Sequence, residues 1–363
     1  MLNTDYKILA KLIAERLKQH ISKLIHHDQT GFLKGRFIGE NINKILNVME
    51  YCEMKNLKGM IVNIDFEKAF DSIEWSHIMR TLKFFNFGPN IIKWIEILYK
   101  NTCSKVINNG WVTNSFQITR GLRQGCPLSP YIFILAVEPL AHNIRKNTNI
   151  KGLSVNNCRT KLSQYADDTE LFIAAEENSL KEIFSTFKKF ELLSGLKINI
   201  DKTEILPIGC TVNEDISFLN NYECRITDHI TVLGIEIWAN LNMTLSKNYT
   251  KRINTIKKTL LVWNQRQITM YGRILLVKSL VLSQFNYLLA CLPAPADDKI
   301  KMIDDIILKF IRAYKSAQQI SKETLQLNKD MGGLQLTLLQ HQTAGIKSVG
   351  LKGYVNPTIM NSG

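Results

Sequence analysis

The sequence predicts a mixed α+β lobe that extends to about residue 235, followed by a mostly α-helical lobe. Strand-like apolar runs at 60–65 and 162–175 alternate with amphipathic helical segments in the first part. From 246 to 292 the periodicity is helical and the segment is basic. With 363 residues, of which 45% are hydrophobic, the chain can form two or three domains or one multi-lobed unit.

The first elements are two helices and a buried strand. Apolar residues recur every three or four positions over 4–25, which predicts an amphipathic helix. A glycine-containing loop, 26–42, precedes a second helical pattern that ends near Met54. The run 60–65 is typical of a buried central strand, and it ends in Asp65. An acid at the end of such a strand is expected to face a cleft.

Helical periodicity returns at 75–100 and is followed by a predicted helix at 131–146, next to Pro130, and by a predicted hairpin. The segment 119–130 contains two glycines and two prolines and predicts a loop. Two strand-like halves around Asp167-Asp168 predict a β-hairpin over 162–175.

The remaining segments lead into the helical lobe. A helix is predicted over 178–194, stopped by Gly195, and then a strand over 197–206. Helices are predicted at 246–292 and from 297 to about 315, while the tail to Gly363 has only weak structural signal.

Charge and cysteine usage limit the partners and the compartment. Lys plus Arg number 46 against 32 Asp plus Glu, so the formal net charge is +14, with a pI of about 9.3. Such a surplus favours phosphate-bearing partners, although a basic surface that binds nothing has the same composition. The seven cysteines include no Cys-x-x-Cys pair, which indicates free thiols in a reducing compartment. Because neither a secretory signal nor a run of 18 apolar residues occurs, we expect no membrane span and a nuclear or cytoplasmic location.

Three aspartates are the candidates for chemistry. Nucleotidyl transfer uses two divalent cations about 3.5–4 Å apart, and magnesium prefers carboxylate ligands. Asp65 ends a strand and Asp167-Asp168 lie at a hairpin tip, 102 positions further on (167 − 65 = 102), so only the fold can bring them together. Taken singly, Asp65 can also cap a turn, and an Asp-Asp pair is common in turns that have no catalytic role.

Five motifs, in order, resemble those of reverse transcriptases. Tyr165-Ala166-Asp167-Asp168 resembles the Tyr-x-Asp-Asp box of these enzymes. The first aspartate box of the family is similar to Asp65-Phe66-Glu67-Lys68-Ala69-Phe70-Asp71, and its Gln-Gly-x-Pro-x-Ser-Pro box is similar to Arg123-Gln124-Gly125-Cys126-Pro127-Leu128-Ser129-Pro130. The motif that follows the Asp-Asp hairpin is similar to Gly195-Leu196-Lys197-Ile198-Asn199 with Lys202, and the primer-grip turn is similar to Leu233-Gly234.

Within that family the chain is identified as a member of the non-LTR retrotransposon (LINE-type) branch. Its signatures are similar to Asn3-Thr4-Asp5-Tyr6-Lys7, Asp28-Gln29-Thr30-Gly31-Phe32 and Gly332-Gly333-Leu334, so the resemblance runs from about residue 2 to about residue 340. It implies a right-hand polymerase fold, with an antiparallel palm sheet and flanking helices. The implied divisions are partial fingers and palm entry at 1–59, palm with fingers segments at 60–240, a helical thumb at 241–320 and a C-terminal extension at 321–363.

The resemblance also implies a role for each matching residue. Asp65, Asp167 and Asp168 correspond to the ligands of two Mg²⁺ or Mn²⁺ ions, and Lys202 to the lysine that protonates the leaving pyrophosphate. Phe70 corresponds to the aromatic gate that excludes a 2′-hydroxyl, although a core phenylalanine fits that position too. The other implied contacts are to the nucleotide, by Phe66, Arg123, Gln124 and Gly125, and to the primer–template duplex, by Lys251, Arg252, Lys257 and Lys258.

These assignments predict an RNA-directed DNA polymerase that uses an RNA template, a DNA primer and deoxynucleoside triphosphates. Two alternatives stay open. Because the chain begins inside the family's conserved region, it is expected to be a truncated core, and a truncated copy can bind nucleic acid without turnover. An RNA-binding, maturase-like protein can share the fold as well. One departure from the family pattern is Arg312, which stands where a tryptophan is usual.

Overall fold

A computed structural model describes residues 2–155, 158–213, 217–313 and 320–355. The chain forms two compact units, Met1–Leu233 and Gly234–Gly363. The predicted order, a mixed α+β part followed by a helical part, is confirmed. The finer division, with limits at 59, 240 and 320, stays a prediction.

The first unit contains eight α-helices and twelve strands among its described residues. The helices are α1 (Thr4–Lys18), α2 (Ile21–Leu24), α3 (Gly39–Met54), α4 (Ala69–Ser72), α5 (Trp75–Phe84), α6 (Pro89–Tyr99), α7 (Ser129–Lys146) and α8 (Glu177–Ser194). The strands are β1 (Lys58–Ile64), β2 (Cys103–Ser104), β3 (Ile107–Asn108), β4 (Trp111–Val112), β5 (Phe116–Gln117), β6 (Leu153–Val155), β7 (Cys158–Thr160), β8 (Leu162–Tyr165), β9 (Asp168–Ala174), β10 (Glu204–Gly209), β11 (Arg225–Ile226) and β12 (His229–Val232).

A five-stranded sheet organises this unit, in the order β11-β10-β1-β9-β8. Only β10 and β11 are parallel; the other neighbours are antiparallel. The central strand β1 is buried over Met60–Val62, as expected for a strand covered on both faces. Helix α7, which begins next to Pro130 as predicted, contributes one of the most deeply buried faces of the core. The sheet therefore gives rigid support to the residues at its strand ends.

Two predicted elements differ in detail. The predicted helix at 75–100 is two helices: the first ends at Phe84, just before Asn86 with φ 56°, and Gly88-Pro89 begins the second. The predicted strand at 197–206 forms only from Glu204 onward. Residues 197–199 instead bond to the backbone that follows β1, and a 3₁₀ turn, Ile200–Lys202, comes next.

The described residues of the second unit are mainly helical, with one short strand. It contains β13 (Ile235–Trp238), α9 (Leu241–Asn264), α10 (Met270–Leu276), a π-helical turn (Val277–Leu282), α11 (Ser283–Cys291), α12 (Asp297–Arg312), α13 (Lys322–Gln326) and α14 (Leu339–Val355). Helix α14 corrects the expectation of a weakly structured tail. Its weak periodicity is offset by capping, because Asp304 Oδ1 accepts a hydrogen bond of 2.7 Å from Leu339 N. Residues 356–363 of the predicted extension lie outside the described residues.

One helical stretch of the described residues, Met270–Cys291, has the length and composition of a membrane span. The mean hydropathy of its most apolar window is 1.6, and 44% of that window is buried inside the protein. Core helices of soluble proteins meet the same criteria, so this stretch is only weak evidence for a membrane partner.

Candidate active site

The ends of β1 and β9 bring two of the three candidate aspartates together. Ile64 pairs with Thr169 in the antiparallel ladder of these strands. Asp65 follows Ile64 and Asp168 precedes Thr169, so the two acids occupy the next opposed position, where Cβ atoms are about 4.5–5.5 Å apart. The backbone of Asp65 is fixed from the other side, because its carbonyl accepts a hydrogen bond of 2.8 Å from Asn199 N.

The third aspartate lies in the turn between β8 and β9. Tyr165 pairs with Asp168, which leaves Ala166 and Asp167 as the two turn residues. Ala166 has φ 58°, a positive value at the first turn position, as in a type II′ turn. A residue with a side chain adopts that conformation only when its surroundings hold it there. The predicted hairpin is confirmed, and its turn is strained at Ala166.

The side-chain amide of Gln29 holds Ala166 in this conformation. Its Oε1 accepts hydrogen bonds from Ala166 N at 2.8 Å and from Gly31 N at 2.9 Å, and its Nε2 donates to Ala166 O at 3.2 Å. Gly31 is required here because an added Cβ would lie 2.6 Å from Ala166 N. The Asp28–Phe32 motif was recognised in the sequence without a role. The partner of Gln29, Ala166, is 137 positions away, and no local sequence signal reveals that contact.

The carboxylates repel one another and are partly removed from water. Burial, and then the charges of Asp167 and Asp65, raise the pKa of Asp168 to about 6. Burial, and then the Asp65 charge, raise the pKa of Asp167 as well. Within the described part of the chain, neither Asp167 nor Asp168 forms an ion pair with a basic side chain. The site therefore carries excess negative charge.

A cavity of about 270 Å³ opens beside Asp65 and Asp168. Lys202 lines it with its Nζ 3.9 Å from Asp65 Oδ2, and this side chain is 70% exposed. Glu170 and Arg225 also line the cavity and were missed in the sequence. Glu170 is fully buried two positions after Asp168, and burial, with Asp168 as a second cause, raises its pKa to about 8. The alternation of side chains along β9 is the signal that could have located it.

The residues after Asp65 divide between core and cleft. Phe66 is 7% exposed and packs on Phe187 at 5.9 Å between ring centroids. The side chain of Phe66 therefore belongs to the core, and its assignment to the nucleotide stays a prediction. Phe70 is partly exposed and stacks on Phe133, with centroids 4.3 Å apart. One face of its ring is packed and the side chain is still accessible, so its position is compatible both with an aromatic gate and with a core phenylalanine.

The predicted nucleotide loop is anchored beside Phe70. Leu122 N donates to Phe70 O at 2.6 Å, and an exposed Gln124 donates to Asp71 Oδ1 at 3.4 Å. Gly125 is exposed with φ 76°. Arg123 is held differently from the expectation: its guanidinium lies 4.4 Å above the Tyr6 ring and donates to Thr102 Oγ1 at 2.8 Å. These contacts make Arg123 a support of the loop rather than a free phosphate ligand.

The four basic residues assigned to the duplex lie on α9 in the second unit. Lys257 and Lys258 are exposed. Lys251 forms an ion pair with Glu236, and Arg252 Nη1 lies 3.4 Å from Gln284 Oε1. The primer-grip motif forms a tight turn, because Leu233 (φ 49°) and Gly234 (φ 80°) both have positive φ, as in a type I′ turn.

These carboxylates suit a divalent cation. Oxygen ligands from aspartate are the donors that Mg²⁺ and Mn²⁺ prefer. Burial, and then repulsion between the carboxylates, raise the pKa of Asp167 and of Asp168, and a bound cation would favour the ionised form of both. Aspartates at the strand ends of a buried sheet, beside a cavity, define the class of protein as one with an acidic site suited to a divalent cation.

The family model for "Reverse transcriptase (RNA-dependent DNA polymerase)" matches residues 1–237, and the chain belongs to this family. The predicted membership is confirmed, and with it the right-hand polymerase fold, whose palm is the five-stranded sheet. Members of this family generally use divalent metal ions.

Curated relatives come from transposable elements. The chain is 29% identical over 366 residues to a transposon TX1 149 kDa protein of Xenopus laevis, covering 99% of this chain and 27% of that protein. It is 28% identical to the Pol polyprotein of the type-2 retrotransposable element R2DM of Drosophila melanogaster, over 64% of this chain and 23% of that protein. These matches support the LINE-type branch. The chain spans about a quarter of the length of these relatives.

Among solved structures, a telomerase from Candida albicans in complex with a telomeric RNA fragment is similar, with a TM-score of 0.46 and 14% identity. The alignment covers 90% of this chain and 57% of that one. The likeness is too weak to support a statement about function.

Proposed function

We propose that this chain is an RNA-directed DNA polymerase of a non-LTR retrotransposon, which extends a DNA primer on an RNA template with deoxynucleoside triphosphates. One observation carries the proposal: in a reverse transcriptase family member, Asp65 and the Asp167-Asp168 turn meet at one end of a buried sheet. A nuclear or cytoplasmic location accompanies it, supported by seven free cysteines.

Asp65, Asp167 and Asp168 would hold two Mg²⁺ or Mn²⁺ ions. The chemistry that a bound cation pair supplies in nucleotidyl transfer is activation of the attacking hydroxyl and stabilisation of the leaving phosphates. The chain's own contribution is to fix three carboxylates on rigid backbone before any substrate arrives. Lys202 would donate a proton to the departing pyrophosphate, and its exposure at the rim of the same cavity supports this role.

The nucleotide would lie against Phe70 and the loop at Gln124-Gly125. Gly125 presents backbone that has no side chain to keep a ligand away, and an added Cβ would meet nothing within 4 Å. Phe70 is fixed by its stack on Phe133 and would block a 2′-hydroxyl. Arg123 orients the loop through Tyr6 and Thr102.

The second unit would bind the duplex by its backbone phosphates. Lys257 and Lys258 are the exposed cations of α9 best suited to this, and Lys251 and Arg252 would add to them by exchanging their present partners for phosphate. Phosphate contacts of this kind are independent of sequence, as copying of any template requires.

Primer extension tests the proposal. Purified chain is incubated with an RNA template, a labelled DNA primer, deoxynucleotides and Mg²⁺ or Mn²⁺, alongside Asp167→Asn and, as a matched control, the exposed Asp298→Asn. We expect extension by the wild type and the control, and none by Asp167→Asn. If the wild type binds the hybrid in a salt-sensitive way and does not extend the primer, the chain is instead a non-catalytic copy that binds nucleic acid.

A further inference from the structure

A β-hairpin arm, residues 103–117, stands away from the body of the first unit. Strand β2 pairs with β5 at its base, and β3 pairs with β4 at its tip. Asn109 (φ 47°) and Gly110 (φ 85°) form the connecting type I′ turn. All residues from 105 to 117 are exposed. The sequence predicts no strand over residues 103–117, because each strand of the arm has only two residues.

The exposed surface of the arm is unusually apolar for a solvated hairpin. Trp111 is 83% exposed, at a position opposite Asn108 and next to the turn. Four further large apolar side chains of the arm are exposed, namely Val106, Ile107, Val112 and Phe116. Ile107 and Val112 pair across one face of the hairpin and Trp111 lies on the other, so both faces present apolar side chains. Exposed apolar side chains on a projecting element mark an interaction site, since an isolated two-stranded ribbon gains little stability of its own from them.

Charge identifies the class of partner. Between Glu96 and Glu138 the chain has no acidic residue, whereas it has the exposed Lys100, Lys105 and Arg120. A basic, acid-free segment is complementary to phosphate. The indole face of Trp111 can stack on an unpaired base, and the asparagine side chains beside it offer donors and acceptors without sequence bias. Single-stranded nucleic acid satisfies all three features.

The base of the arm is joined to the proposed nucleotide site. Ile118 N donates to Thr102 O at 2.9 Å, and the Arg123 guanidinium donates to Thr102 Oγ1 at 2.8 Å. Three residues after Ile118, Gly121 N donates to Ile73 O at 2.7 Å. A single nucleic-acid strand that passes from the nucleotide site along residues 118–123 would therefore reach the arm next.

We propose that the arm binds the unpaired RNA template ahead of the primer end, with Trp111 stacked on a template base. This inference rests on the proposed function, because it assigns one part of that substrate to one surface. It predicts that Trp111 contributes to the binding of single-stranded template and not to the binding of the paired hybrid.

The test compares two substrates by fluorescence anisotropy: a blunt RNA–DNA hybrid, and the same hybrid with a single-stranded RNA extension at the template 5′ end. Variants are Trp111→Ala, Trp111→Phe and, as a control aromatic that is 75% exposed elsewhere in the unit, Phe84→Ala. Loss of one base stack weakens binding by about 1–3 kcal/mol, and 1.4 kcal/mol is tenfold. We expect Trp111→Ala to bind the extended hybrid roughly tenfold more weakly, with Trp111→Phe retaining most of the affinity and Phe84→Ala unchanged.

Three results would overturn the inference: unchanged affinity of Trp111→Ala for both substrates, equal weakening for both, or unchanged RNA binding with a change in self-association by light scattering. The last would assign the arm to a protein partner. Thermal unfolding of Trp111→Ala, expected to match the wild type, excludes misfolding as the cause. Because binding is measured without catalysis, a wild type that binds the extension and does not extend primers refutes the proposed function alone. A wild type that extends primers, with Trp111→Ala binding normally, refutes the arm alone.

Discussion

Replacing Gln29 tests how the Tyr165–Asp168 turn is held in its strained conformation. The side chain is 1% exposed and bonds three backbone groups: the N–H and C=O of Ala166 and the N–H of Gly31. In Gln29→Ala each of these groups loses its partner in a buried setting, at about 1–3 kcal/mol per group. Water that enters the vacated space recovers part of this, so we expect a loss of about 3 kcal/mol in unfolding free energy.

The expected effect is measurable in two ways. For a unit of this size, a loss of about 3 kcal/mol lowers the unfolding temperature by roughly 6–12 °C. In primer extension, Asp167 and Asp168 lose their fixed position while the duplex-binding surface is untouched. We therefore expect kcat to fall by at least about tenfold and the affinity for the hybrid to stay within about twofold of the wild type. The exposed Gln19→Ala is the control for both measurements.

Gln29→Glu adds a pH test with the same shape of side chain. The introduced carboxylate can accept from Ala166 N and Gly31 N and, when ionised, cannot donate to Ala166 O. Burial raises its pKa in the folded state above the unfolded value of about 4.3. The variant should therefore approach wild-type stability below about pH 4 and lose stability as the pH rises to the folded pKa. Gln29→Ala that melts with the wild type and keeps its kcat would refute the reasoning.

Three further predictions concern the metal site, the turn and the nucleotide gate. The metal-free protein should lose stability as the pH rises from about 4 to about 6, because the pKa values of Asp167, Asp168 and Glu170 are all raised, that of Asp168 to about 6; Asp168→Asn should reduce this slope, and Mg²⁺ should raise the unfolding temperature at about pH 7.5 and have little effect at about pH 5. Gly31→Ala should cost about 1–3 kcal/mol in urea unfolding, because its Cβ would lie 2.6 Å from Ala166 N; equal stability would contradict the contact. Phe70→Val should let the polymerase extend primers with ribonucleotides, measured beside deoxynucleotides, and unchanged selectivity would assign Phe70 to the core alone.

The three candidate aspartates could be located from the sequence because each stands at a junction between a recognisable strand and a polar turn. Asp65 ends an apolar run, and Asp167-Asp168 interrupt one. The pairing that joins them required the fold, since the register of β1 against β9 is set by buried side chains on both strands. The orientation of Phe66 required the fold for a related reason: its motif position is next to the site, while the pleat of the chain turns its side chain into the core.

Other features had no sequence signal strong enough to predict them. Residues 197–199 have strand-like composition and pair with single positions after β1, so they form no regular strand. The arm consists of two-residue strands held by a turn. The role of Gln29 depends on one side chain reaching the backbone of a distant turn, and periodicity contains no information about such a contact.

The most direct test of the account is primer extension by Asp65→Asn. This residue lies on a different strand from the Asp167-Asp168 turn, so its effect reports on whether the strands of the sheet bring one catalytic site together. On an RNA template with a single complementary deoxynucleotide, we predict incorporation by the wild type and a loss of at least about a thousandfold in the variant, with hybrid binding intact. Incorporation by Asp65→Asn at the wild-type rate would contradict the account.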